Sequence, residues 1–455
     1  MFGTVAEASH DNTQNSIRFG MMRILVFGFN TSNSWLAIAT SLPLAISSGG
    51  TLTLLYGIVV VVAFALSCTG LSLAELASVY PLRSLSYICG LVGIFAWNAV
   101  ASSAALVVAQ LIFAIAIRYN PSYVPENWHY FLLYQAVHLV TVCYNVFLSG
   151  RTTWIYTFGL YLSLSVFLVV SITCPARATS HLSTASIWTD FINSSGKWPD
   201  GLCFIMDLST PSFMLVGLDS TLHLVEECED PTRTVPKAII ATVGIGFVTA
   251  FTFAIAMCYS LTDLESLLES PTGLIAIAML SLNGMHQTSS RLTWSFACDD
   301  ALVFSHLFKT VNARFHIPVN ALLLNYGICF IIGLLYLASS SAFNAFIGSC
   351  SVLSVVSVTI PIGLVLFQRR DSELLPSARS VWLPNVIGFF CNAIAVAWAV
   401  IITIFFCFPT TIPLSASNMN YTCAVLGVMC IIGGINWAFH AKKRYRGPSL
   451  ESFHP

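Results

Sequence analysis

The sequence has 455 residues, of which 56 % are hydrophobic and only 9 % charged, and its net charge is −1. A water-facing domain carries roughly 25 % charged residues, so most of this chain's surface must face lipid, and a soluble globular fold is excluded. The absence of a basic excess argues against a nucleic-acid partner. Fourteen cysteines lie scattered in apolar runs without metal or disulfide spacing, so neither a metal nor a cofactor is expected.

Residues 1–22 read as a polar cytoplasmic tail with no signal-peptide pattern. A membrane-spanning helix needs about 20 largely apolar residues. Twelve runs approach that: Ile24–Ile46, Leu54–Leu76, Ile88–Ile117, Phe131–Phe147, Trp154–Cys174, Leu202–Val225, Ala238–Leu261, Leu274–Phe296, Val319–Leu337, Phe343–Phe367, Val386–Phe408 and Thr422–Phe439. The eighth is the least apolar, interrupted by Asn283, His286, Gln287 and Arg291. With the N-terminus in the cytoplasm, sixteen of the 19 Lys and Arg fall on the inner side, and only Arg118, Arg177 and Lys197 fall outside. Cytoplasmic loops are the cation-rich ones, so both termini are expected inside, in a plasma-membrane protein. Asn193-Ser194-Ser195 and Asn420-Tyr421-Thr422 are then outer-side glycosylation sequons, whereas Asn30-Thr31-Ser32 lies within the first span.

Polar and helix-breaking residues inside spans are costly, which makes their positions informative. The first span carries Asn30-Thr31-Ser32-Asn33-Ser34-Trp35; the sixth carries Asp207, Ser209-Thr210-Pro211 and Gly217-Leu218-Asp219-Ser220-Thr221. Ser32 lies eight residues, and Asp219 six, from the cytoplasmic end of its run. At about 1.5 Å per residue the two interruptions share one depth in helices of opposite direction. A single intramembrane hydroxyl is ordinarily interhelical glue, but paired breaks at matching depth mark a transporter binding site. Asp219 is open to three roles: counter-ion to an ammonium group, proton carrier, or partner to a backbone break. His223 and Glu226 follow on the same helix face, as proton relays or, respectively, as a packing residue and a solvated helix end pairing with Arg233 or Lys237. Trp35 and Trp97 are candidates to stack on a cationic head group.

Gly217-x-Asp219 followed by Glu226-Glu227-x-x-Asp230-Pro231-x-Arg233-x-Val235-Pro236-Lys237-Ala238 resembles the sixth-helix signature of the amino acid–polyamine–organocation superfamily. Asn33-Ser34-Trp35, Ser48-Gly49-Gly50, Leu73-Ala74-Glu75-Leu76 with Tyr80-Pro81, Ser289-Ser290-Arg291-x-x-Trp294-x-Phe296-Ala297, Pro318-x-Asn320-Ala321-Leu322 and Ser339-Ser340-x-x-Phe343-Asn344 extend the similarity from about residue 20 to the tail. More narrowly, the chain resembles the fungal branch that contains choline, gamma-aminobutyrate and amino-acid permeases. The resemblance implies an all-α membrane protein of about 12 helices with a leucine-transporter-type fold. Two inverted five-helix repeats (about 23–175 and 200–368) precede two extra helices (about 384–440) and a tail from 441. It also implies substrate contacts at Asn33, Ser34, Trp35, Trp97, Gly217 and Asp219, proton coupling through Asp219, His223 or Glu226, and import of a small amine-bearing solute. The chain departs from the pattern after Ala297, where Cys298-Asp299-Asp300-Ala301-Leu302-Val303 replaces Arg-Asp-Gly-Gly-x-Pro. The alternative reading, a non-transporting sensor or decayed permease, rests on that departure and on a shortened eighth span. A membrane enzyme is disfavoured because the ten histidines are dispersed, with no HxxxH pair.

Overall fold

The computed structural model describes residues 20–64, 70–76, 83–152, 154–178, 180–193, 196–227, 231–260, 271–315, 317–370, 383–409, 412–413, 419–445 and 447. Every regular element among them is helical. Helix α1 spans Met21–Ser32 and α2 spans Ser34–Phe64. The second of these turns sharply at Gly50 (φ 74°, ψ −175°), in a region of backbone space that only glycine occupies readily. A short α3 (Leu71–Leu76), a long α4 (Arg83–Tyr119), α5 (Asn127–Phe147) and α6 (Trp154–Arg177) follow. The sixth run begins, after a five-residue α7 (Thr184–Trp188), with α8 (Asp200–Asp207) and α9 (Ser209–Ser212). It continues through a 3₁₀ turn at Phe213–Leu215 and resumes as a 3₁₀ helix over Leu218–Glu227. Then come α10 (Pro231–Tyr259), α11 (Pro271–Cys298), the short α12 (Ser305–Phe308), α13 (Val319–Ala338), α14 (Ser340–Phe367), α15 (Asn385–Phe405) and α16 (Thr422–Asn436). The last helix runs on through a π turn into α17 (Lys442–Arg444).

Nine helices among the described residues are long and apolar enough to cross a membrane. Their outward faces are apolar as well. Trp154, Tyr161, Val169 and Ile172 on α6 and Ile431, Ile435 and Phe439 at the last helix are all more than 45 % exposed, a surface that water does not tolerate. The protein is therefore an integral membrane protein. Three of the twelve expected runs fall outside the nine, each for a local reason. The first is divided at Asn33. The second is described as an apolar piece from Ser48 to Ala63 and then as α3. The eighth forms a continuous 28-residue helix, α11, with low apolarity.

The polar residues that dilute α11 face its neighbours. Asn283 Nδ2 donates to Tyr156 Oη (2.8 Å), which lies 2.8 Å from Gln287 Oε1, and Gln287 Nε2 donates to Ser149 Oγ (2.9 Å). His286 Nε2 and His138 Nδ1 share a hydrogen at 2.8 Å, both rings fully buried. These are the interhelical hydrogen bonds that hold helices together where lipid offers no hydrophobic drive. The centre of the bundle is the contact of α4 with α11 and α14. It positions Trp97 of α4 beside the broken sixth run.

Candidate functional site

The first break is at Asn33, which adopts a left-handed conformation (φ 34°, ψ 63°) and donates its N–H to Phe29 O. Asparagine enters this region more readily than other side chains because its short polar group bonds locally. The hydroxyls just before it turn back on their own helix: Thr31 Oγ1 donates to Phe27 O (2.8 Å) and Ser32 Oγ to Gly28 O (2.9 Å). Beyond the break, Ser34 Oγ crosses to the sixth run and donates to Met214 O at 2.7 Å. There Val216 is extended and Gly217 has φ 92°, which a side chain would strain. A Cβ on Gly217 would lie 3.5 Å from Ser32 Cα and 3.5 Å from the Trp97 ring. The two breaks thus meet side by side, at the common depth that their positions in the runs predict.

Asp219 sits in the first turn after this junction, where an acidic side chain complements the positive end of the helical segment. Its Oδ2 accepts from Trp97 Nε1 at 3.0 Å and lies 3.4 Å from His223 Nε2, one turn on. The rings of Trp97 and His223 meet edge to face, 6.2 Å between centroids. Among the described residues no Lys or Arg comes within ion-pair distance of this carboxylate, which is 13 % exposed. Burying an ion without a full counter-charge is expensive, so the site favours a cation. The carboxylate also borders a cavity of about 40 Å³, closed by Ser351 and Ser354 of α14 and Trp398 of α15. At 10–15 Å³ per water by this measure it has room for about three waters.

Trp97, Gly217, Asp219, His223 and Ser34 are therefore gathered around one junction. Trp35, expected beside them, turns the other way. Fully buried, it donates through Nε1 to Ser163 Oγ (2.8 Å), and that hydroxyl lies 3.3 Å from Asn33 Oδ1. Its ring packs on Phe253 and Phe167 at 5.5 and 6.1 Å. The side chain of Glu226 lies outside the described residues. Asn193 is exposed, its amide held by Trp198 O and Asp200 Oδ1 (both 2.8 Å). Asn420 is half-buried and donates to Phe406 O (2.7 Å). The Met214 carbonyl, Ser351, Ser354 and Trp398 carry no signal in the sequence that ties them to Asp219, because chain connectivity alone does not bring α14 and α15 to the junction.

After α11, Asp300 occupies the first glycine position of the family pattern with φ 54°. Aspartate is among the few residues that enter this left-handed region readily. Ala301 is buried against Tyr87, Phe296 and Tyr445, and Ala301 O accepts from Asn436 Nδ2 (2.9 Å). The departing loop is packed onto the last helix and holds a left-handed residue at the first glycine position of the pattern.

A family model described as amino acid permease matches residues 19–284 and 271–430. The choline transporter of Saccharomyces cerevisiae is 32 % identical over 468 residues, covering 94 % of this chain and 82 % of its own length. The swainsonine transporter of Arthroderma benhamiae is 28 % identical, covering 94 % of this chain and 91 % of its own length. The 7-keto 8-aminopelargonic acid transporter of Saccharomyces cerevisiae is 26 % identical, with 91 % of each covered. A broken-helix junction built around Gly217 and Asp219, in a chain that such transporters match nearly end to end, places it: the protein belongs to the amino acid permease family of the amino acid–polyamine–organocation superfamily.

Proposed function

We propose that this permease imports a small amine-bearing solute, driven by protons, by alternating access around its two broken helices. The observation that supports this most directly is the Asp219 carboxylate, held by Trp97 N–H where the breaks meet and lacking a Lys or Arg partner among the described residues. An ammonium or quaternary ammonium group supplies that missing charge. The C-terminal turn of α1 adds carbonyl oxygens of the same preference, and the Trp97 face offers cation–π attraction. Choline and an amino-substituted acid, named for two of the relatives, both present such a nitrogen. His223, a turn beyond Asp219, gives the carboxylate a partner for proton exchange, and Glu226 continues that face by sequence spacing. In this reading twelve spans form two inverted five-helix units and two extra helices, and both termini are cytoplasmic in the plasma membrane. Helices of opposite direction with breaks in contact are what alternating access about a fixed site requires. The packed loop after α11 favours transport over the sensor alternative.

The test is uptake into liposomes holding the purified protein, over choline, gamma-aminobutyrate, a neutral amino acid and a polyamine, with and without a protonophore. Asp219→Asn is expected to lower proton-driven accumulation about 10- to 100-fold, the worth of one charge-assisted interaction. Coupled uptake at the wild-type rate in that variant overturns the assignment, and a flat wild-type panel turns the argument to the sensor.

A further inference from the structure

We propose that Asp207 is a second proton-binding site, whose protonation from the extracellular side permits the Gly49–Gly50 turn of α2 to close over it. The proposal rests on the transport reading and on the orientation given with it. Asp207 lies seven residues along the sixth run from Asp200, about 10 Å below the outer end of the helix, and it is 6 % exposed. Its neighbours are weak ones: Cys203 Sγ at 3.5 Å, one turn back, and Ser48 on α2. Thr53 Oγ1 is buried without a hydrogen-bond partner among the described residues and borders the same space. A Cβ on Gly49 would fall 2.4 Å from Asp207 Oδ2 and 2.8 Å from Thr53 Oγ1. Only glycine lets the α2 backbone settle onto the carboxyl in this way.

The elements packed against Asp207 bring no counter-charge. The Ser34–Phe64 helix contains no charged residue, and its titratable Tyr56 is exposed and stacked edge-on against Trp188. Ser209–Ser212 has no titratable side chain, and Asn385–Phe405 has only Cys391. Cys203 is the titratable neighbour on its own helix, and Asp190 and Lys197 of the outer loop are exposed. A carboxylate closed off from water without a cation costs several kcal/mol. A neutral carboxylic acid costs far less, and its O–H can donate to Ser48 Oγ, whose own hydrogen goes to Leu44 O. The closed conformation therefore holds Asp207 as the acid. The proton comes from outer water onto one carboxylate oxygen and returns there when the turn lifts. The cover is suited to lifting, because Gly50 carries the left-handed backbone and Ile192 of the outer loop rests directly on it. Extracellular pH thus sets how readily the outer half closes, separately from the charge handled at Asp219.

The test is exchange of each solute in the uptake panel across liposomes with no pH gradient, in protonophore, from pH 5 to pH 8. Wild-type exchange is expected to fall as pH rises. Asp207→Asn, a permanent mimic of the neutral acid, is expected to flatten that profile, and Ser48→Ala to move its midpoint toward acid by up to about one pH unit through loss of one hydrogen bond. If Asp207→Asn fails to fold, the Ser48→Ala shift decides. An unchanged pH profile in these variants, or a profile that follows sodium rather than pH, overturns the proposal and leaves the transport reading standing. Wild-type protein that exchanges none of the solutes overturns both.

Discussion

Two carboxylates of this bundle, the buried Glu75 and the half-buried Asp219, are partnered in opposite ways. Glu75 Oε1 meets Arg370 Nη2 at 2.7 Å, with side chains 1 % and 2 % exposed. The guanidinium also lies 3.3 Å from Asn392, in the amide orientation that satisfies both ends of that side chain. It presses so closely on α15 that a Cβ on Gly388 would fall 2.3 Å from Arg370 Cζ. Asp219 has an indole N–H, a histidine and an adjoining cavity instead. A charge that is fully paired inside the protein is spent on holding helices in place. In the proposed reading, one that faces an indole N–H, a histidine and a cavity retains attraction for an incoming cation.

Breaking the first of these should have the largest effect. Arg370→Met strands Glu75 in a buried position and is expected to cost about 3–5 kcal/mol, read as a large drop in the melting temperature of the purified protein. Arg370 also holds a left-handed backbone (φ 58°) at the end of α14, where its N–H donates to Val365 O at 3.0 Å. The double variant Glu75→Gln/Arg370→Met removes the stranded charge and should recover most of the loss. A single variant that melts like wild type would contradict a structural role for the pair. Asp219→Asn should behave in the reverse sense, melting within about 1 kcal/mol of wild type because it removes a partly satisfied charge, while transport collapses.

Trp97→Phe probes the same contrast more gently. It keeps the aromatic face and removes the N–H that orients Asp219, so the loss is one hydrogen bond to a charged group. An increase in KM for uptake of about 10-fold is expected, with a smaller change in the maximal rate. Trp35→Phe removes a donor to Ser163 in a fully enclosed setting and should register in the melt, through a Ser163 hydroxyl left with Asn33 Oδ1 alone, rather than in KM. If the two tryptophans exchange these signatures, the substrate stands on the Trp35 side of the break.

The difference between these residues also marks what a linear sequence conveys. Consecutive polar residues at 30–34, and a Gly-x-Asp inside an apolar run, are local violations of membrane chemistry, visible without any partner, and they point directly to the junction. The orientation of Trp35 was not visible, because it depends on Ser163 in another helix. The Glu75–Arg370 pair joins residues 295 positions apart; Glu75 is the one charge in its expected span, but nothing in that span names its partner. The eighth run shows the same limit from the other side. Asn283, His286 and Gln287 dilute its apolarity, and only the fold shows that each is matched by α5, α6 or the turn between them.

A third way of neutralising a carboxyl occurs at Asp299, just beyond α11, and gives the smallest of the expected effects. Burial, and secondarily the charge of Asp300, push its carboxyl up from 3.8 to about 6. The folded state therefore keeps a proton that the unfolded chain has released between about pH 4 and pH 6. The stability this contributes is complete below the unfolded value and is lost as pH rises through the folded one. Asp299→Asn carries no such proton, so its melting temperature should gain on wild type as pH rises from 4.5 to 7.5. The gain is modest because the side chain is only partly enclosed and solvent screens it. Asp300→Gly should shrink the pH dependence by removing the neighbouring charge. It should also relieve the left-handed backbone, at the cost of a half-exposed contact with Lys309 at 3.6 Å. A wild-type to Asp299→Asn difference that stays flat over this range would show the carboxylate to be as well solvated as any surface acid. The graded series from Arg370-paired Glu75 through Asp219 to proton-holding Asp299 would then lose its weakest member.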